Sequence, residues 1–152
     1  MRSRRVARAL KRVQGCDSIL QTSSTMFPGA ASPPLYLYVD STLPLAIHAG
    51  IFSVSLLSKR ILTEAFEIDH LVYDRACAIF TFSEWCKESI VRDFGISPAK
   101  VHAVGAGINL PENSVGSKTD DGRTILFVGK DFELKGGPLL LEAFRRVRRE
   151  MN

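Results

Sequence analysis

Cysteine, histidine and tryptophan are scarce: the 152-residue chain has three cysteines, three histidines and one tryptophan. Cys16, Cys77 and Cys86 make no C-x-x-C pair and no Cys/His cluster, so neither a disulfide framework nor a zinc site is indicated and no metal is expected. Free thiols suit a reducing, cytoplasmic setting. Long apolar runs are missing too. The longest, residues 43–57, is interrupted by Pro44, His48 and Gly50 and falls short of the ~20 residues that a helix needs to cross a bilayer. It reads as a buried helix or a membrane-surface segment. The basic N-terminus is not followed by an apolar stretch with a small-residue cleavage site, so no secretory signal is expected and membrane contact is at most peripheral.

A hydrophobic share of 45% against 24% charged residues leaves enough apolar surface for an ordinary globular core. The net charge of +4 is mild but gathered at the ends, in Arg2, Arg4, Arg5, Arg8, Lys11 and Arg12 and again in Arg145, Arg146, Arg148 and Arg149. Val6, Ala9, Leu10 and Val13 interleave with the first cluster at helical spacing, and Leu140, Ala143, Phe144, Val147 and Met151 with the second. Both clusters therefore read as solvated faces of amphipathic helices. No aromatic residues alternate with these arginines to stack bases, so a nucleic-acid partner is not expected.

Strand and helix signals alternate along the chain. Short strands are expected at 18–21 and 35–39, one or two helices between 45 and 75 with Ile61, Ala65, Ile68, Val72 and Ala76 inward, and a strand at 77–82, CAIFTF, covered on both faces. Ser83 caps the next helix, which carries Glu84 in its first turn, buries Cys86, Ile90 and Phe94, and stops at Gly95. A strand at 101–104 follows. Residues 110–122, LPENSVGSKTDDG, lose all apolar periodicity and read as a linker. Beyond it come a strand at 124–128, a loop at 129–137 and a closing helix that Pro138 opens. The pattern implies α/β architecture: a Rossmann-like, doubly wound parallel sheet with crossover helices. Residues 1–109 form the later part of one domain and 123–152 the start of a second, so the chain reads as truncated at both ends.

The loop GKDFELKGG is the most chemical stretch. Gly129 ends a strand, Lys130 and Lys135 supply positive charge, and Gly136 and Gly137 lead into a helix whose first N–H groups lack intrahelical acceptors. Together with the helix dipole these groups suit a phosphate or diphosphate. It is not a Walker A loop, since G-x-x-x-x-G-K-[ST] is absent.

The run FVGKDFELKGGPLLLEAF resembles the opening of the second domain in retaining glycosyltransferases of family 4, and YDRACAIFTFSEWCKESIVRDFGISPAKVHAVGAGIN, residues 73–109, is similar to the end of their acceptor domain. The resemblance implies a two-domain GT-B fold and transfer of a sugar from a nucleotide-diphosphate-sugar donor to a sugar, lipid or small-molecule acceptor, without metal or other cofactor. It implies that Lys130 and Lys135, with Gly129, Gly136 and Gly137, hold the donor diphosphate; Lys130 stands where the family has arginine and gives up bidentate geometry. Ser83 and Glu84 are candidate residues of the interdomain cleft. The family's opening glycine-rich loop and its late E-x7-E region do not occur, and none of His48, His70 and His102 aligns with a catalytic histidine, so the catalytic residues stay unassigned. A catalytically silent fragment that binds anions or a protein partner is the alternative.

Overall fold

Alternation in LYLYV builds the sheet's central strand: Leu35, Leu37 and Val39 are buried, while Tyr36 and Tyr38 between them are half-buried. That is the period-two pattern of a strand with one face on a core. The computed structural model describes residues 2–10, 12–13, 15–30, 32–50, 57–107 and 122–151. It divides into two compact units, Met1–Gly107 and Ile108–Asn152, each taken by itself below.

In the first unit, β1 (Ile19–Gln21), β2 (Leu35–Val39), β3 (Ala78–Thr81) and β4 (Val101–Ala103) form an all-parallel sheet in the order β1-β2-β3-β4. The register sets Ile19 opposite Leu35, Leu37 opposite Ile79 and Ile79 opposite Val101, so the buried side chains line up across the sheet. The chain returns from β2 to β3 through α2 (Leu43–His48) and α3 (Lys59–Arg75), and from β3 to β4 through α4 (Glu84–Phe94) and a 3₁₀ turn at Pro98–Lys100. This is the mixed α/β fold with a parallel sheet that the alternating pattern implied.

The helices α2, α3 and α4 each start where a hydroxyl can accept an otherwise unpaired N–H. Thr42 accepts from Leu45 at 3.3 Å, Ser58 from Ile61 at 3.3 Å and Ser83 from Cys86 at 3.2 Å. Gly95 ends α4 at φ 66°, in the left-handed region where a Cβ is unfavourable. Val72, Tyr73 and Ala76 of α3 and Cys86, Ile90 and Phe94 of α4 complete the core against the sheet. Phe94 stacks on Phe66 at 4.4 Å and takes the edge of Tyr73 at 4.9 Å. The helix α1 (Arg2–Leu10) lies against residues 27–29: the Phe27 N–H donates to Ser3 Oγ at 3.0 Å, and a Cβ built on Gly29 would touch Ala7 at 3.7 Å.

Two expectations for this unit need correction. Strands added in one direction by right-handed crossovers place their helices on one face, and α2, α3 and α4 all touch one another. Among the described residues the sheet is thus wound on one face, not two. Accordingly β3 is not covered on both faces: Ile79 and Thr81 are buried, whereas Ala78 and Phe80 are half-buried.

The second unit holds α5 (Gly137–Glu150). Residues 124–128, expected as a strand, form none. Their apolar character is right for one, but no neighbouring strand is present among the described residues to form a ladder with them. Val128 is 83% exposed. The expected linker, residues 110–122, lies outside the described residues except for Gly122. Among the described residues no helix is long and apolar enough to cross a membrane; the stretch 43–57 supplies α2 and, at 51–56, lies outside them.

Candidate functional site

The loop 129–137 is shaped by its own turns. Asp131 accepts the Leu134 N–H through Oδ1 at 2.9 Å, Lys135 N–H donates to Asp131 O at 3.1 Å, Gly136 N–H to Glu133 O at 3.1 Å and Gly137 N–H to Phe132 O at 2.8 Å. The two glycine N–H groups expected to meet an anion are therefore bonded inside the loop. Pro138 has no N–H and Leu140 N–H donates to Gly136 O at 3.0 Å, so Leu139 alone offers a helix-start donor without a hydrogen-bond acceptor among the described residues. The glycines have steric reasons as well. A Cβ on Gly129 would lie 2.9 Å from the Phe127 ring and 3.1 Å from Lys135 Cβ, and one on Gly137 would collide with the Phe132 ring. The fold thus brings Gly129 next to Lys135, and leaves Lys130 and Lys135 exposed.

Ser83 is the cap of α4, and Glu84, exposed, pairs with Lys87 at 3.4 Å. Neither lines the cleft beside Asp69, although Glu84 lines a shallow one of similar volume with Lys87 and Arg92. Trp85 is 53% exposed. The three histidines are all exposed, and His102 lies 5.9 Å from the Phe80 ring. Among the described residues no group of three or more His, Cys, Asp or Glu is placed to hold a metal ion.

The cleft beside Asp69 opens at the carboxyl ends of β1 and β2. It measures about 520 Å³ and is walled by the loop after β1, by Asp40 to Leu43 after β2 and by Ala65, Ile68 and Asp69 of α3. Thr22, Ser23, Ser24, Thr25, Ser41 and Thr42 give it six hydroxyl-bearing residues. Ser23 Oγ and Thr25 Oγ1 are 2.8 Å apart, and the Gln21 side chain donates to the carbonyls of Ser23 and Met26, so the loop is held to its own strand. Thr42 hydrogen-bonds Ser89 at 2.6 Å, and Ser89 donates to Asp93 Oδ2 at 2.7 Å. Arg92 grips Asp93 from its other side, at 2.7 and 2.9 Å, and these bonds hold the Asp93 carboxyl below its ordinary range.

Asp69 is the unusual member. It is only 6% exposed, on the helix face that also carries Ala65 and Val72, and burial raises its carboxyl above the ordinary aspartate range while the Ser24 hydroxyl opposes the rise. Tyr73, fully buried one turn further along, donates to Ser24 Oγ at 3.3 Å and is itself raised by the same desolvation. Sequence reasoning followed the apolar stripe of α3 and passed over Asp69. The available signal was a carboxylate four residues after Ala65 and three before Val72, on the face that has to be buried. Asp-Ser-Thr directly after the strand LYLYV was a second one.

No family model matches the chain, and no solved structure matches it. An OPA3-like protein of Schizosaccharomyces pombe is 32% identical over 110 residues, which are 71% of this chain and 49% of that protein, so the chain spans about half the length of this curated relative. The expected membership of glycosyltransferase family 4 is corrected accordingly, and with it the expected sugar transfer, the enzyme assignment and the silent-fragment alternative, because the relative found is OPA3-like and no glycosyltransferase model matches. The stretches that carried the resemblance have local structural reasons: a serine cap and glycine stop around α4, and glycines at 129 and 137 that the Phe127 and Phe132 rings require. The chain is similar to an OPA3-like protein over most of its own length.

Proposed function

We propose that this chain is a small-molecule-binding α/β protein whose ligand, polar and rich in hydrogen-bonding groups, occupies the cleft at the carboxyl ends of β1 and β2. The carrying observation is the convergence there of six hydroxyl-bearing residues and two carboxylates, from three separate chain segments, on one space of about 520 Å³. Ligands of open parallel sheets lie outside the carboxyl ends of the strands, and pockets of roughly 300–1,000 Å³ take drug-sized molecules. Leu43, Ala46, Ala65 and Ile68 supply an apolar floor, and the hydroxyls supply direction. The test is an NMR titration of the full chain with glucose and glucosamine as probes of suitable size. Amide shifts confined to residues 22–25, 40–43 and 65–69 support the assignment; shifts elsewhere, or none, refute it.

A second reading concerns the loop 129–137. The approach of Gly129 to Lys135 at the start of α5 favours a phosphate site made by Lys130, Lys135 and the Leu139 N–H, with Gly129, Gly136 and Gly137 shaping the turn. Residues 123–152 are then the start of a second α/β domain. Titration with inorganic pyrophosphate decides it: Lys135→Ala weakens binding by about ten- to a hundredfold if the lysine meets phosphate. Unchanged affinity makes both lysines ordinary surface charges.

A further inference from the structure

The cleft in the first unit is electrically one-sided. Asp40 lies exposed at its edge and Asp69 is buried in its wall, and no lysine, arginine or histidine is among the residues that line it. Among the described residues no ion pair reaches either carboxylate, although four pairs form elsewhere. A buried carboxylate without a cation is costly, because water is removed and nothing of opposite charge replaces it. The Ser24 hydroxyl stands beside it, and its pull on the carboxyl is smaller than the push of burial. A hydroxyl has one hydrogen to donate, whereas an ionised carboxylate has about four acceptor positions. Tyr73 cannot add a second bond to Asp69 with its O–H, which is directed to Ser24 Oγ.

We infer that the ligand of this cleft carries a protonated amine that seats between Asp69 and Asp40, while its hydroxyl groups meet the serines and threonines of the two loops. The chemical class is a small hydroxylated amine. This rests on the cleft assignment above and adds the sign of the ligand's charge. A phosphate or carboxylate is excluded at the same position by two like charges with no cation beside them. A bare metal ion is disfavoured because no third His, Cys, Asp or Glu joins the pair among the described residues. Once the amine is in place, the ligand replaces for Asp69 the solvation that folding removed.

Glucosamine, glucose and glucuronate, which share one ring and differ in charge, separate the possibilities when titrated into the full chain by NMR at mildly acidic pH, where the amine is protonated. Glucosamine is expected to bind roughly tenfold or more tighter than glucose, and glucuronate not at all. Asp69→Asn, which keeps the shape and an acceptor for Ser24, is expected to erase the preference for glucosamine; Asp40→Asn, at the exposed edge, is expected to reduce it. Shifts in the cleft of equal strength for glucosamine and glucose, a preference for glucuronate, or a preference that survives Asp69→Asn overturns the charge assignment and leaves the cleft standing. Failure of all three probes to shift cleft amides overturns the cleft and the charge assignment together.

Discussion

The hydroxyl of Tyr73 donates to Ser24 Oγ across 3.3 Å and 49 residues of sequence, joining α3 to the loop that follows β1. Ser24 and Asp69 both line the cleft, so this bond fixes part of its wall. Tyr73→Phe keeps the ring and its edge contact with Phe94 while deleting the donor. Urea unfolding is expected to show a loss of about 0.5–1.5 kcal/mol, the usual net value of one hydrogen bond. The loop 22–25 is also expected to exchange its amide hydrogens faster. Unchanged exchange there would mean that the loop is held by Gln21 and the Ser23–Thr25 contact alone.

Asp69 gives stability a definite pH dependence. Its folded-state pKa is raised by burial above the unfolded value, so its favourable contribution is complete below the unfolded carboxylate pKa and is lost as pH rises through the raised value. Asp69→Asn has no proton to release. The variant is therefore expected to gain on the parent as pH rises from acid to neutral, and to be the more stable of the two at neutral pH without ligand. Denaturation midpoints measured across that range check the sign; a variant less stable at neutral pH would show that the ionised carboxylate is well paired.

Thr42, Ser89 and Asp93 form a second polar chain, from the cap of α2 to the last turn of α4. Ser89 and Thr42 are buried, so Ser89→Ala leaves the Thr42 hydroxyl without its acceptor and takes from Asp93 one of its donors, leaving those of Arg92. A loss of about 1–3 kcal/mol is expected, the cost of a buried polar group left unpaired. Asp93 works opposite to Asp69: its carboxyl is depressed by Arg92 and Ser89, so its contribution holds above the ordinary carboxylate pKa and fades as pH falls through the depressed one. The effect of Ser89→Ala should accordingly shrink in acid.

The helix α1 turns Arg4, Arg5 and Arg8 outward, while Val6, Ala7 and Leu10 are half-buried. With its apolar side partly occupied, it has little left to insert into lipid. Binding to anionic vesicles is expected to be weak at low salt, absent at high salt, and reduced by replacing the three arginines with alanine. Flotation that survives high salt and carbonate would contradict this.

The elements that were legible in the sequence are those whose signals are local. LYLYV carries its own alternation, and Ser83 with Gly95 marks both ends of α4. The strand expected at 124–128 failed because propensity is local and pairing is not. The α3 stripe was right at Val72 and Ala76, which are buried, and wrong at Ile61, which is 51% exposed. Asp69 and the Asp-Ser-Thr after LYLYV were local signals of the cleft, but its assembly was not legible, since residues 22–25, 40–43 and 65–69 meet only after the crossovers have formed. Gly136 and Gly137 were noticed for their N–H groups, which the loop then satisfied internally.

Alkylation of Ser41→Cys tests the cleft most directly, because two native thiols provide internal references. Ser41 is half-exposed at the cleft, Cys77 is exposed at the amino end of β3, and Cys86 is buried with its thiol pushed up to about 11 by desolvation, which makes it unreactive. With glucosamine or glucose at saturating concentration, the introduced thiol is expected to react several-fold more slowly while Cys77 reacts at its original rate. An introduced thiol that reacts equally fast with and without the probes, or one slowed only in step with Cys77, would contradict a ligand site at the carboxyl ends of β1 and β2.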